Sequence, residues 1–290
     1  MGASVVIYGL ANSAILMLAA LGFSLIFGLS GVANLAHGGI YLLSGFVAWI
    51  LVNKLGLPFL LAFPVTVAIS GILGWLIYWV VLRRVRGMHL SEVIATFAVG
   101  VIILELFRYL GFVTFEFNIP VIMRGGTEIL GVGIDYQRLI IIGLGILLAL
   151  LLWFFAHYTK IGMALRGMAQ DEYTALSLGI DSDWAAALSM ALGSAMAALA
   201  ALLILPLGII SINMGYEVLI WVLAVTVLGG MESTIGLIVA SLLLGFAKTV
   251  TGTYFDPKYM EVVYLLSLVL VLAVKPSGLF GKFKELEERV

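Results

Sequence analysis

Long apolar runs dominate the pattern of hydrophobic and polar positions along this chain. A membrane span needs roughly 20 mostly apolar residues, because a helix rises about 1.5 Å per residue and the hydrocarbon core is about 30 Å thick. The candidate runs are Val5–Phe27, Leu35–Val52, Phe59–Leu82, Val93–Val113, Leu139–Phe155, Trp184–Leu207, Val218–Leu228, Ile235–Val250 and Val262–Val274. The run ending at Leu228 is short for a span. The pattern predicts an all-α, polytopic transmembrane protein with eight or nine membrane segments, some broken by glycines or re-entrant.

Basic residues gather at three places along this pattern, within 83–86, 160–166 and 275–284. Because loops rich in Lys and Arg stay on the cytoplasmic side, we expect all three places there. The stretch 114–137, which carries both charge signs, then lies outside. Nine crossings would place the N-terminus outside and eight would place it inside. The first run lacks a basic flank and a clear cleavage site, so we interpret it as a mature span rather than a signal peptide.

Composition agrees with a lipid bilayer as the surrounding medium. Hydrophobic residues make up 63% of the 290 and charged residues 11%, against about a quarter charged in soluble domains. The formal net charge of −1 offers no basic field for nucleic acid. Cysteine is absent, which excludes disulfides and thiolate chemistry.

Motifs for catalysis and for metal or nucleotide binding are missing from the sequence. There is no Gly-x-x-x-x-Gly-Lys-Ser/Thr loop and no His-Glu-x-x-His pair. His37, His89 and His157 are scattered. We therefore predict no catalytic residues, no metal site and no ATP hydrolysis by this chain.

A polar, glycine-rich stretch, Gly28–Gly39, interrupts the apolar pattern after the first run. Asn34 and His37 are spaced so that they share one face if the segment is helical. Polar groups at membrane depth need partners. The two side chains can either hydrogen-bond nearby backbone at a helix break or contact a molecule that crosses the membrane.

This stretch resembles the first signature of permease subunits of branched-chain amino acid ABC transporters, Gly-x-x-Asn-x-Ala-His-Gly. The matching residues are Gly31, Asn34, Ala36, His37 and Gly38. A second glycine-rich break, 227–236, resembles another stretch of that family. The resemblance suggests a substrate path along Asn34, His37, Gly38, Gly230 and Glu232. The two breaks, about 200 residues apart, fit an internal repeat, although frequent membrane glycines would also produce such a match.

A second polar stretch, Gly162–Asp181, has one apolar and one polar side, a pattern that by itself predicts an interfacial connector helix. Gly179 can end such a helix in the left-handed conformation. The stretch is similar to the coupling signature Arg-x-x-Ala-x-Asp-x-x-x-Ala-x-x-x-Gly-Ile of the same family, from which Tyr173 and Thr174 are local departures. By that resemblance this short helix docks on an ATPase subunit. The expected coupling residues are Arg166, Ala169, Asp171, Glu172, Ala175 and Gly179.

Two further stretches, 91–100 and 275–281, also resemble the family, so the likeness covers nearly the whole chain in order. It implies one transmembrane permease domain, 1–290, with a cytoplasmic coupling loop, 160–183, and a cytoplasmic tail, 275–290. It also implies an importer for branched-chain or other hydrophobic amino acids in the plasma or inner membrane. The chain itself would need no cofactor.

The implied partners are a second permease subunit, identical or homologous, cytoplasmic ATPase subunits that bind ATP and Mg, and an extracytoplasmic substrate-binding protein. Urea or short amides are alternative cargoes. An ATP-independent secondary transporter is an alternative machine, although it predicts buried carboxylate relays and few carboxylates lie within the runs. Glu105 and Arg108, three apart within a run, are expected to pair. Lys248 is expected to extend to the membrane surface.

Overall fold

The computed structural model describes residues 2–30, 33–112, 117–208, 210–230, 233–275 and 277–281. Within them the chain is almost entirely helical. The helices are α1 Gly2–Ser30, α2 His37–Trp49, α3 Phe59–Ile77, α4 Arg83–Val85, α5 His89–Tyr109, α6 Tyr136–Tyr158, α7 Lys160–Gln170, α8 Glu172–Ser177, α9 Ser182–Ile204, α10 Asn213–Gly229, α11 Thr234–Tyr254 and α12 Met260–Val274. π-Helical turns, Ile50–Lys54 and Tyr78–Leu82, extend α2 and α3, and 3₁₀ turns occupy Leu205–Leu207 and Pro257–Tyr259.

Each of the nine predicted apolar runs coincides with a helix, which confirms the polytopic all-α prediction. Among the described residues, six helical stretches have the length and apolar character that a membrane crossing requires. They are Gly2–Gly28, Phe59–Val85, Leu90–Tyr109, Tyr136–Tyr158, Ser182–Leu207 and Thr234–Tyr254. The other three runs form α2, α10 and α12, each shorter than the roughly 20 residues of a full span.

Helices α1 and α9 form the centre of the bundle. α1 packs against α6, α9, α10 and α11, while α9 also packs against α2 and α3. Small residues let the two helices approach closely, since a Cβ on Gly22 would lie 2.7 Å from the carbonyl oxygen of Gly193. Peripheral helices leave large apolar side chains exposed, as at Leu60, Ile102 and Leu150. A lipid-facing surface accounts for this exposure.

A β-hairpin, which the sequence analysis did not predict, lies between α5 and α6. Strand β1, Gly126–Ile129, pairs antiparallel with β2, Val132–Asp135. The two turn residues, Leu130 and Gly131, have φ values of 53° and 74°. Two consecutive positive φ angles match the right-handed twist of a hairpin. The Tyr8 hydroxyl donates a hydrogen bond to the Gly133 carbonyl at 2.7 Å, so the hairpin lies beside the start of α1.

Two predictions about isolated charges have different outcomes. Arg108 lies 3.4 Å from Glu105 with both side chains about half exposed, which confirms the expected pair. Lys248 does not simply extend outward, because its ammonium lies 4.5 Å from the centre of the Trp221 ring. A cation over an aromatic face is attracted by the ring quadrupole, which retains the lysine side chain against α10.

Candidate functional site

Asn34 lies in the turn that joins α1 to α2. Its Oδ1 accepts a hydrogen bond from the Ala36 backbone N–H at 3.1 Å, and its own carbonyl accepts one from the His37 N–H, also at 3.1 Å. The side chain is 1% exposed, yet Nδ2 has no hydrogen-bond partner. Asn34 therefore shapes the turn with one end of its amide and keeps two N–H donors unused.

His37 begins α2 and is completely buried. Its Nε2 lies 3.0 Å from the carbonyl oxygen of Ala19 in α1, and because a carbonyl can only accept, Nε2 carries the hydrogen. The Phe23 ring meets the imidazole edge-on at 5.9 Å. Nδ1 is buried without a partner. The imidazole thus joins α2 to α1 across the turn.

Gly38 and Gly39 allow two other helices to approach the start of α2. A Cβ on Gly38 would overlap the carbonyl oxygen of Gly215 in α10. A Cβ on Gly39 would lie 2.9 Å from the carbonyl oxygen of Gly100 in α5. These glycines are needed for close helix packing, so Gly38 lies at a helix contact rather than on an open surface.

The second glycine-rich break has different surroundings. Gly230 ends α10 with φ 98°, and the returning C-terminal segment covers it. The N–H groups of Leu279 and Phe280 donate hydrogen bonds to the carbonyls of Leu228 and Gly229 at 2.8 and 3.1 Å. Gly31 and Glu232 lie outside the described residues. The nearest neighbours of a Cβ on Gly230 would be Phe280 and Gly281 of this C-terminal segment.

A cavity of about 550 Å³ separates the Asn34 turn from the segment that precedes α9. Helices α1, α5, α7, α8 and α9 and the π-helical turn after α3 all contribute to its wall. The lining residues are Ile26, Asn34, Tyr78, Leu82, Arg86, Gly87, Glu92, Thr96, Met168, Leu176, Asp181, Ser182, Asp183, Ala185, Ala186 and Met190. One of the five predicted path residues, Asn34, thus lines this cavity. Within the described part of the chain, no cluster of three or more acidic or histidine side chains is placed to hold a metal ion.

The stretch Gly162–Asp181 forms two helices, α7 and α8, rather than the single helix that the sequence suggested. Asp171 causes the break. Its Oδ1 accepts hydrogen bonds from the N–H groups of Tyr173 and Thr174 at 3.0 and 3.2 Å, and its Oδ2 accepts one from the Thr174 hydroxyl. An aspartate in this capping geometry starts a new helix, so α7 ends where α8 begins.

Gly179 ends α8 as predicted, with φ 83°. Its N–H donates to the Leu176 carbonyl at 2.9 Å, and the Ile180 N–H donates to the Ala175 carbonyl at 3.1 Å. This pair of bonds is the Schellman arrangement, which requires a left-handed residue after the helix. Ala175 itself is buried.

The α7–α8 loop, which we define as residues 160–181, has one packed face and one exposed face. The packed face joins Leu165, Met168 and Ala175 to Leu25 of α1 and Ala185 of α9. The exposed face presents Tyr173 and Leu178, which are 74% and 76% exposed. A shallow groove between α7 and α8 includes Asp171, Ala175 and Ile180.

The remaining predicted coupling residues differ in exposure. Arg166 and Ala169 are partly buried, and the Arg166 Nε has no hydrogen-bond partner. The side chain of Glu172 lies outside the described residues.

Comparison with known proteins identifies the family. The sequence model of one protein family, the branched-chain amino acid transport system permease component, matches residues 5–273. This chain belongs to that family. The permease is 30% identical to the high-affinity branched-chain amino acid transport system permease protein BraD of Pseudomonas aeruginosa, over 94% of each chain. It is 29% identical to LivH of Escherichia coli, over 91% of each chain. A solved structure, PsaBC from Streptococcus pneumoniae in complex with Fab, gives a TM-score of 0.49 at 17% identity, over 93% of this chain and 91% of that one.

A polar cluster in this permease, which the sequence analysis missed, fixes the start of α9 beside the end of α3. Asp183 accepts a hydrogen bond from the Tyr78 hydroxyl at 2.6 Å and ion-pairs with Arg86 at 2.9 Å and Arg83 at 3.1 Å. Arg83 also lies over the Trp79 ring at 4.7 Å. From the sequence, the arginines indicate only the orientation of the chain in the membrane. The available signal was an acidic residue at the start of an apolar run, but the sequence does not show that Asp183 lies beside the arginines, which are 97 and 100 residues away.

Proposed function

We propose that this permease is the membrane-spanning subunit of an ATP-driven importer for branched-chain or other hydrophobic amino acids. The observation that carries the proposal is the two-faced α7–α8 loop. Its packed face touches the central helices α1 and α9, and its exposed face leaves Tyr173 and Leu178 uncovered. Since the basic residues of this loop place it outside the bilayer, lipid does not cover its exposed apolar side chains, and a protein partner is the expected cover. The family resemblance names that partner as an ATPase subunit.

The loop is suited to transmit movement. Met168 of α7 and Leu176 of α8 line the 550 Å³ cavity, as does Asn34 on its other side. A shift of the loop would therefore move part of the cavity wall. The ATPase subunits supply energy by binding one permease conformation more tightly than another, since a ligand shifts an equilibrium only by its preference.

The rest of the machine follows from the division of labour in the family. The permease acts as a single transmembrane domain in the cytoplasmic membrane, with the α7–α8 loop in the cytoplasm. It has no cofactor of its own, and the ATPase subunits bind ATP and Mg. A second permease subunit completes the pathway, and an extracytoplasmic binding protein delivers the substrate. Asn34, His37, Gly38, Gly230 and Glu232 remain the predicted path residues, and Arg166, Ala169, Asp171, Glu172, Ala175 and Gly179 the predicted coupling residues.

Reconstitution tests this proposal. The permease, its partner permease and the ATPase subunits are placed in liposomes, and uptake of radiolabelled leucine is measured with binding protein outside and ATP inside. We expect uptake that requires ATP, the ATPase subunits and the binding protein together. Uptake driven by a proton or sodium gradient without the ATPase would show a secondary transporter and overturn the proposal.

A further inference from the structure

Three carboxylates line the cavity beside Asn34, and they differ in the number of hydrogen bonds and ion pairs that they form. Asp183 is bonded by Tyr78, Arg83 and Arg86. Asp181 accepts the Trp184 N–H at 3.1 Å and starts α9. Protein groups therefore hold both carboxylates in place, Asp183 through ion pairs and Asp181 through its cap of α9. Glu92 of α5 is the third acidic side chain in the wall.

Glu92 is 8% exposed and is only half satisfied. Its Oε1 accepts the Gly87 N–H at 2.6 Å. Among the side chains that the structure describes, no basic group forms an ion pair with this carboxylate, and its Oε2 accepts no hydrogen bond. A buried carboxylate without a cation is costly unless a ligand supplies the positive charge. Glu92 thus presents one oxygen to the cavity for a cationic group.

Asn34 offers the complementary chemistry. Its Nδ2 carries two N–H donors, is buried and has no partner, and its residue lines the same cavity. Thr96, one helical turn after Glu92, accepts the Leu35 N–H at 3.2 Å and so holds the Asn34 turn against α5. One face of α5 therefore carries the Glu92 carboxylate, which can bind a cation, and holds the turn whose Asn34 N–H groups can donate to an anion.

Part of the wall is apolar. Ile26, Leu82 and Met190 are buried hydrophobic residues that line the cavity, and Met168 adds a flexible thioether from α7. Flexible methionine side chains adapt to aliphatic groups of different shape. A volume of about 550 Å³ lies within the range of small-molecule sites.

We infer that this cavity is a selectivity site for zwitterionic α-amino acids, in which Glu92 binds the ammonium group, Asn34 the carboxylate, and the Ile26–Leu82–Met190 wall an aliphatic side chain. The inference rests on the proposed function and narrows its substrate. Urea and short amides carry no ammonium for Glu92 and would leave the carboxylate unpaired. The site therefore disfavours them, because a buried polar group left without its partner costs more than a mismatch of shape.

Binding of three related probes to the assembled permease–ATPase complex in nanodiscs, without binding protein, tests the inference. L-Leucine has both charges, leucinamide keeps only the ammonium, and 4-methylpentanoate keeps only the carboxylate. Glu92→Gln is expected to raise the Kd for leucine and leucinamide about 10- to 100-fold and to leave that for 4-methylpentanoate unchanged. Asn34→Ala is expected to weaken leucine and 4-methylpentanoate about 5- to 50-fold and to spare leucinamide.

Two variants keep the result interpretable. Glutamine can still accept the Gly87 N–H, and Glu92→Asp retains the charge, so the aspartate variant is expected to recover most of the leucine affinity. Glu105→Gln removes the same charge from the exposed part of α5 and should change none of the three Kd values. Equal losses for all three probes in Glu92→Gln, or no loss at all, would overturn the inference. If wild-type liposomes show ATP-dependent leucine uptake while Glu92→Gln binds leucine normally, the site assignment fails and the proposed function stands.

Discussion

The α1–α2 turn and the α7–α8 loop both interrupt the helical bundle, but they use polar side chains in opposite ways. In the turn, Asn34 and His37 are buried, and each leaves one nitrogen without a partner. In the loop, Asp171 is exposed, and its oxygens accept three hydrogen bonds from Tyr173 and Thr174, which lie two and three residues further along the chain. The polar side chain in the loop is thus fully used by its neighbours in sequence, whereas those in the turn keep unused nitrogens and also depend on contacts with other helices.

Because of this difference, the two regions are suited to different roles. The loop has a geometry that its local hydrogen bonds maintain, so it can move as a unit against a partner. The turn depends on Ala19 within α1 itself and on Thr96 and Gly215, which lie on α5 and α10. A rearrangement of those helices would change the surroundings of Asn34 and His37. The two regions are therefore suited to transmitting and receiving the same movement.

The largest expected effect breaks the turn through its packing. Gly38→Leu would force a side chain into the Gly215 carbonyl, which is backbone and cannot move aside without separating α2 from α10. We expect a loss of more than about 3 kcal/mol in the free energy of unfolding, the upper end for overpacked sites. The measurement is the denaturation midpoint of the purified permease in detergent, together with its yield as a monodisperse species.

Gly28→Ala is the matched control for that variant. Nothing lies within 4 Å of a Cβ at Gly28, and the residue is within α1. Alanine is more favourable than glycine within a helix by about 1 kcal/mol. The Gly28→Ala variant should therefore be at least as stable as the wild-type protein. A Gly38→Leu protein as stable as Gly28→Ala would mean that α2 and α10 do not meet in this way.

The sequence predicted the loop better than the turn for a physical reason. The left-handed conformation of Gly179 was predicted because it depends only on adjacent residues, and its φ of 83° confirms it. The break at Asp171 was missed, although the capping aspartate is visible in the sequence. The need for a partner at His37 was also predictable, but the identity of that partner, the Ala19 carbonyl, was not, since tertiary packing brings it there. The same holds for Thr96, which accepts the Leu35 N–H beside Asn34. Glu92 escaped notice because only the cavity distinguishes it from other acidic residues.

A middle-sized effect is expected at Gly179, where the loop can be strained without a clash. Valine at this position would have to adopt φ near 83°, and nothing lies within 4 Å of its Cβ. The left-handed conformation costs roughly 1–2 kcal/mol for a residue other than glycine. We expect Gly179→Val to weaken retention of the ATPase subunit about 5- to 30-fold, measured by co-purification and by surface-immobilised titration.

Gly167→Ala is the control for this strain. Gly167 lies within α7 with open space around it and an ordinary helical φ. The Gly167→Ala variant should retain the ATPase subunit as the wild-type protein does, and it should leave the α1–α2 turn unaffected. If Gly179→Val also retains the ATPase, then the end of α8 is not part of the docking surface, and the contrast between the two regions loses its functional meaning.

The smallest expected effect is at Asp171, where cap geometry and charge can be separated. Asp171→Ala removes the cap of α8 and should cost about 1 kcal/mol of local helix stability, seen as faster amide exchange over α8. Asp171→Asn keeps a side-chain oxygen that can accept the Tyr173 and Thr174 N–H groups, so exchange should remain near the wild-type rate. If ATPase retention follows the cap, asparagine should behave as aspartate does. If asparagine instead loses the ATPase as alanine does, the carboxylate charge contacts the partner directly, and the loop is a recognition surface as well as a lever.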